Sequence, residues 1–204
     1  PSLSYKVSDT VSIGGGVSVQ KIEAKLSAFA GAPGVLTLDA DDIGFGFNLG
    51  ALFQLNPSTR IGITYRSKIS YDLEGTAIFS APAGAPGNGS VRADLKVPDS
   101  ASWNILTSLN PQWELMADLT YTGWSSIKRL DVIRTSGPGA GTTLTSLLFN
   151  WKYTVRVGVG ANYKMDNQTK LRFGLAFDPT PTNDIDRTPR LPDQDRTWAA
   201  FGVQ

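Results

Sequence analysis

Residues 60–74 read RIGITYRSKISYDLE, and the alternation within them decides the fold. Ile61, Ile63, Tyr65, Ile69, Tyr71 and Leu73 hold odd positions, while Arg60, Thr64, Arg66, Lys68, Ser70, Asp72 and Glu74 hold even ones. Side chains of a strand point alternately to its two faces, so this stretch predicts a strand with one apolar and one charged face. The pattern continues outward along the chain. WKYTVRVGVGANYK (151–164) sets Tyr153, Val155, Val157, Val159, Ala161 and Tyr163 against Lys152, Thr154, Arg156 and Asn162. WELMADLTYT (113–122), KLRFGLAFD (170–178) and GFGFNLGALFQL (44–55) do the same. One stretch changes phase. In VSIGGGVSVQKIEAKLS (11–27) the apolar residues are odd up to Val19 and even from Ile22 onward. That predicts a bulge or, preferably, a strand that outgrows a bilayer into a region wet on both sides.

The connections alternate in length. SDT, NPST, NPQ and MDNQ are short and rich in the residues of tight turns. Between them lie longer Gly- and Pro-rich connections: AFAGAPGVLTLDADD, APAGAPGNGSV, SGPGAGTTLTS and DPTPTNDIDRTPRLPDQD. Short turns at one end and long loops at the other are the organisation of an outer-membrane barrel. About nine strands are expected, with no helical period and no solenoid repeat.

Composition removes several kinds of function. The 204 residues contain no Cys and no His and carry a net charge of +1. A thiol nucleophile, a serine triad and a His-bound zinc site cannot be built from this chain, so an enzyme such as an outer-membrane lipase finds no base here. The balanced charge draws in no nucleic acid. No cofactor or metal is implied. No apolar run reaches the ~18 residues of a membrane helix, but transmembrane strands need only about 9–11. The same alternation suits a soluble lipid-binding β-sandwich. Three features favour the barrel: Tyr65, Trp113, Tyr121, Trp124, Trp151, Tyr153 and Tyr163 collect near strand ends, small residues crowd the polar faces, and the loop asymmetry is regular. The expected fold class is all-β: a transmembrane up-and-down antiparallel β-barrel in the bacterial outer membrane. The chain begins at Pro1 without a signal peptide and ends at Gln204 within a strand pattern, so residues 1–204 read as part of a barrel wall.

Three ordered segments also resemble one family. GFGFNLGALFQLNPSTRIGITYRSKISYDLEG (44–75), SLNPQWELMADLTYTGWSSI (108–127) and RLPDQDRTWAAFG (190–202) are similar to the FadL-type outer-membrane transporters of long-chain fatty acids and other hydrophobic compounds. The resemblance implies a barrel of about fourteen strands closed by an N-terminal hatch, of which this chain covers roughly the fourth to the twelfth. The hatch, the first strands, the kinked strand of the lateral gate and the last strands then lie outside it. It also implies a monomer that passes hydrophobic ligands and is embedded in outer-membrane lipid, with fatty acids and aromatic hydrocarbons as the ligand classes. A general porin with a water-filled lumen is the alternative.

By order along the family, Phe29, Leu36 and Phe79, with Val35, Leu38 and Ile78, are candidates for an apolar landing groove in the loops, or else pack together to close them. Lys152 and Arg156, and less securely Lys25, are candidates for a fatty-acid carboxylate, with Lys152 and Arg156 both on the lumen face of one strand; Lys152, nearer the extracellular end and next to Trp151, is the preferred contact, and Arg156 is expected to serve the ion ladder. Arg66, Lys68, Lys170 and Arg172 are expected to pair with Asp72, Glu74, Glu114, Asp118 and Asp178 in a lumenal ion ladder that also holds Arg156. Asp193 and Asp195 of LPDQDR fit a turn locked by Arg196 or a neighbouring arginine better than a calcium loop. Gly14–Gly16 fit a close approach of backbone or local strand flexibility.

Overall fold

The computed structural model describes residues 1–29, 34–80, 87–137, 139–189 and 191–204. Parts of three long loops (30–33, 81–86 and Pro138) and Arg190 lie outside the described residues. The strands are β1 (Ser2–Lys6), β2 (Val11–Phe29), β3 (Val35–Asn56), β4 (Thr59–Arg66), β5 (Ile69–Phe79), β6 (Gly89–Val97), β7 (Ser100–Ser108), β8 (Trp113–Thr122), β9 (Arg129–Arg134), β10 (Thr143–Leu148), β11 (Thr154–Lys164), β12 (Lys170–Asp178) and β13 (Arg196–Val203). All join one antiparallel sheet.

These thirteen segments make nine wall strands, because four wall strands are each interrupted once. β4 and β5 both pair with β3, through Asn48↔Arg66 and Asp41↔Glu74. β7 and β6 follow on one register, through Arg66↔Ser100 and Ile69↔Val97. β8 and β9 come next, then β11 and β10. The interruptions fall at Ser67–Lys68, at Pro98–Asp99, at 123–128 and at 149–153, all at one level of the wall. Pro98 lacks the N–H a ladder needs, and a single-turn 3-10 helix, Trp124–Ser126, fills the third gap. Among the described residues the wall is open: β1 pairs with β2 alone, and β13 with β12 alone. The strand count and the up-and-down order agree with the sequence reading.

The level of the interruptions divides the wall chemically. On the short-turn side the outward positions are apolar and exposed, among them Leu49, Ile63, Val157, Val159 and Leu175. Aromatic pairs mark both edges of this band: Trp113–Tyr163 at 4.7 Å near the short turns, and Tyr121–Tyr153 at 5.9 Å and Phe47–Tyr65 at 6.0 Å below the interruptions. These are the two girdles of a membrane barrel. On the long-loop side the apolar side chains point the other way. Leu36, Leu38, Ile69, Tyr71, Leu73, Ala77, Val91, Ala93 and Val132 form a buried cluster.

The sequence expectations on faces need two corrections. Residues 60–74 are not one strand with one apolar face. An extra residue at Ser67–Lys68 shifts the register to β3, so Ile61, Ile63 and Tyr65 face outward while Ile69, Tyr71 and Leu73 are buried inward. Conversely, β2 carries no bulge: its pairing with β3 runs unbroken from Val11↔Phe53 to Phe29↔Val35. Its change of phase arises because the apolar side of the wall switches from outer to inner. The inner side above the switch is packed and apolar rather than wet. Gly14–Gly16 sit where β1 approaches: a side chain on Gly16 would meet Ser2 Cβ at 2.8 Å.

Candidate functional site: two stacked cavities inside the wall

Ala24 and Leu26 on β2 and Leu147 and Leu148 on β10 border one cavity, although these strands are not neighbours in the sheet. The long-loop half of the sheet therefore curls, and its apolar face is the concave, lumenal one. The cavity has a volume of about 830 Å³ and is lined by Leu73, Leu95, Ile127, Leu130, Phe149 and Leu191, with Ile185 at its mouth. A second cavity of about 430 Å³ lies beneath it, toward the short turns. Its lining is mixed: Thr120, Thr122, Thr154, Arg156, Asp178, Asp193 and Arg196 alternate with Pro179, Pro181 and Pro192. Trp124, Trp151 and Leu191 border both. The two indoles meet edge to face at 5.4 Å and 89°, and Phe149 leans on Trp151 at 5.1 Å. Such edge-to-face and tilted contacts hold the rings in place between the two cavities.

Residues 179–189 and 191–195 flank both cavities as a strap. The Thr180 hydroxyl donates to Asp193 Oδ2 at 2.7 Å, and the Thr180 amide donates to Asp195 Oδ1 at 2.8 Å. Arg196 lies 3.4 Å from Asp178 and 3.5 Å from Asp193. The Lys152 amide donates to the Pro181 carbonyl at 3.0 Å, which ties the strap to the interruption before β11. The lock by Arg196 is the one the sequence suggested, and Asp195 acts on the far end of the same loop.

A family model described as outer membrane protein transport protein (OMPP1/FadL/TodX) matches residues 1–204. The chain belongs to this family. It is 31% identical over 180 residues to the long-chain fatty acid transport protein of Escherichia coli K12, covering 81% of this chain and 39% of that protein. The Salmonella typhi protein of the same name is 28% identical over 234 residues, covering 98% and 53%. The structure matches the crystal structure of a Pseudomonas aeruginosa FadL homologue with a TM-score of 0.82 at 28% identity, over 99% of this chain and 53% of that one. It shares its fold, at 18% identity and a TM-score of 0.67, with the Pseudomonas putida toluene transporter TodX, over 99% and 58%. The chain thus spans about half the length of the curated relatives it matches. Its place is the outer membrane, and its architecture is part of a FadL-type barrel wall.

On this FadL-type wall the candidate residues separate. Arg156 faces the lumen in the lower cavity, 3.8 Å from Asp118. Lys152 does not join it. Lys152 lies in the interruption before β11 and lines a separate cleft with Thr182, Asp184, Arg187 and Gln194. Asn150, at φ 47°, turns the chain there and ends the strict alternation that had put both on one strand. Lys25 borders the rim of the apolar cavity, but its ammonium pairs with Asp39 at 3.2 Å. Leu36 and Phe79 lie opposite each other in β3 and β5, with Leu36 buried and Phe79 packed against the same cluster. Phe29, at 77% exposed, ends β2. The apolar residues expected in loops are thus mostly strand residues, and Leu36 and Leu38 take the packing role. The ion ladder is also smaller than expected. Among the described residues, only Arg156–Asp118 joins two groups of that expectation, and Asp178 pairs instead with Arg196. Arg172 lies opposite Asn162, far down the strand from Arg156.

The sequence reading placed Trp124 and Trp151 in the membrane girdle, whereas both line the lumen. Parity carried a signal for the first: Trp124 is even, while the girdle residues Tyr121 and Trp113 of the same wall strand are odd. Leu191 lay in a stretch read only as loop.

Proposed function

We propose that this chain is wall and strap of a passive transporter that admits hydrophobic compounds through the outer membrane, with long-chain fatty acids as the foremost cargo and no chemistry performed on them. The observation that carries this reading is the pair of stacked cavities. Their volumes fall in the range of ligand pockets, roughly 300–1,000 Å³. The upper one offers apolar walls for a tail and the lower one offers cations for a head, with the Trp124–Trp151 contact between. The names of the relatives near 30% identity support fatty acids as cargo. A general porin needs an open, charge-lined lumen, and the inward apolar cluster speaks against one. The protein works in this reading as a monomer surrounded by lipid, with no nucleic acid partner.

We assign the carboxylate to Arg156, because its contact with Asp118 is long and leaves guanidinium donors to spare. Lys152, in the neighbouring cleft, serves the approach. A charge-assisted hydrogen bond contributes about 1.5–3 kcal/mol, so Arg156→Ala in the full-length protein should weaken oleate binding by roughly tenfold or more. Binding of an uncharged hydrocarbon should hardly change, Lys152→Ala should have the smaller effect, and Leu130→Asp should weaken both ligands. Titration of tryptophan fluorescence with oleate and with hexadecane reads all three. Equal losses for both ligands in Arg156→Ala would make that residue part of the wall only. Unchanged binding in Leu130→Asp would remove the apolar cavity from the path.

A further inference from the structure

Among the described residues, three side chains border both stacked cavities: Trp124, Trp151 and Leu191. Leu73 and Leu130 line the upper cavity alone, while Thr122, Thr154 and Arg156 line the lower one alone. A molecule with its head at Arg156 and its tail against Leu73 and Leu130 therefore passes among these three side chains.

Two of the three belong to the wall. Trp124 begins the 3-10 turn, and its carbonyl accepts the Ile127 amide at 2.9 Å. The Trp151 amide donates to the Ile127 carbonyl at 3.4 Å, so one short segment carries both indoles. Their edge-to-face contact fixes the spacing of the rings. The third, Leu191, is supplied by the strap. Its amide donates to the Thr188 carbonyl at 3.2 Å, and two residues further on Asp193 accepts the Thr180 hydroxyl at 2.7 Å. The strap thus holds the backbone on both sides of Leu191 without packing the side chain, which is 46% exposed although it borders both cavities. An aliphatic side chain in such a place makes no hydrogen bond to a passing molecule. It discriminates by bulk alone, and each methylene too many or too few in an apolar passage is worth about tenfold or more.

We propose that Leu191 determines specificity in the passage between the cavities: beside Trp124 and Trp151 it admits a straight alkyl chain and turns back one that carries methyl branches. This inference rests on the reading of the upper cavity as the place of a tail and the lower one as the place of a head. The indoles give the passage a fixed side, and the bulk of the strap's leucine sets the width that remains.

The test measures equilibrium binding of radiolabelled ligands to the full-length protein in detergent. Palmitate is the straight acid and phytanate its methyl-branched counterpart; hexadecane and phytane are the matching hydrocarbons without a head. The wild type should prefer palmitate to phytanate. Leu191→Ala widens the passage and should raise phytanate relative to palmitate by about tenfold or more. Leu191→Phe narrows it and should weaken palmitate by about tenfold while leaving hexadecane in the upper cavity. The ratio of phytane to hexadecane should stay the same in both variants, because neither hydrocarbon has a head to draw it down. An unchanged ratio of the two acids in Leu191→Ala would overturn the proposal, as would normal palmitate binding in Leu191→Phe. A shift of the hydrocarbons equal to that of the acids would make Leu191 a wall of the upper cavity only, and would overturn it too. Arg156→Ala, measured on palmitate, tests the underlying reading separately. If it has no effect while Leu191→Ala shifts the ratio of the acids, the head binds elsewhere below the passage and the role of Leu191 stands.

Discussion

Placing a charge on the outward face at mid-membrane tests the orientation of the whole wall, and Val159→Arg does so most directly. Val159 is exposed, on β11, and its register partners are Ala117 and Leu175. The girdle residues Trp113 and Tyr121 bracket Ala117 evenly on β8, with four residues on either side. At about 3.3 Å per residue and a strand tilt near 40°, that band is roughly 20 Å tall. Val159 then sits within a few ångströms of the midplane. An arginine there costs about 2–4 kcal/mol, whereas one near either girdle costs ~0–1. The matched control is Asn104→Arg, which pairs in register with Asp118 and Gly62 on the lumenal face at the same depth. It should change stability by less than about 1 kcal/mol. Reversible urea unfolding of the full-length protein in lipid vesicles, followed by tryptophan fluorescence, measures both. If Asn104→Arg were the costly substitution and Val159→Arg the neutral one, lumen and lipid would be interchanged. Equal small costs would mean that the face of β11 meets water and not lipid.

Two further outcomes follow from local geometry. A side chain at Gly75 would collide with the Asp39 carbonyl and the Ala40 backbone across the β3–β5 ladder, so Gly75→Ala should destabilise by about 3 kcal/mol in the same unfolding assay, and a neutral result would contradict the close approach of these strands. In the short turn after β11, the Asp166 carboxylate accepts the Gln168 and Thr169 amides at 2.7 Å each, which holds its pKa below the ordinary 3.8; its support of the turn is full above that value and disappears as pH falls through the lowered one, so the stability gap between wild type and Asp166→Ala should be widest near neutral pH and close in acid, and a gap that widens in acid would reverse the assignment.

The sequence by itself determined the class of structure and the number of wall strands. Period-two alternation and alternating loop lengths are local properties, fixed by where consecutive side chains point and by which residues turn a chain tightly, so they survive without knowledge of any partner strand. The motifs at 44–75, 108–127 and 190–202 likewise placed the chain in its family. Only the tertiary structure decided which side of each strand is inside. One extra residue at Ser67–Lys68 reverses a face without disturbing the odd-numbered rhythm of 61–73, while the unbroken β2 changes rhythm without reversing. Periodicity cannot separate these cases, because it reports the spacing of apolar residues and not the side on which their partners lie. The site was legible only in part for the same reason. Arg156 lies in a regular strand, so the alternation gives its lumenal side, but Lys152, Trp151 and Trp124 lie in the interruptions, where the alternation that carried the inference stops. Leu191 reaches the cavities only because Asp193 and Asp195 fasten a long loop to Thr180, a contact between residues 13 and 15 positions apart that no local pattern encodes.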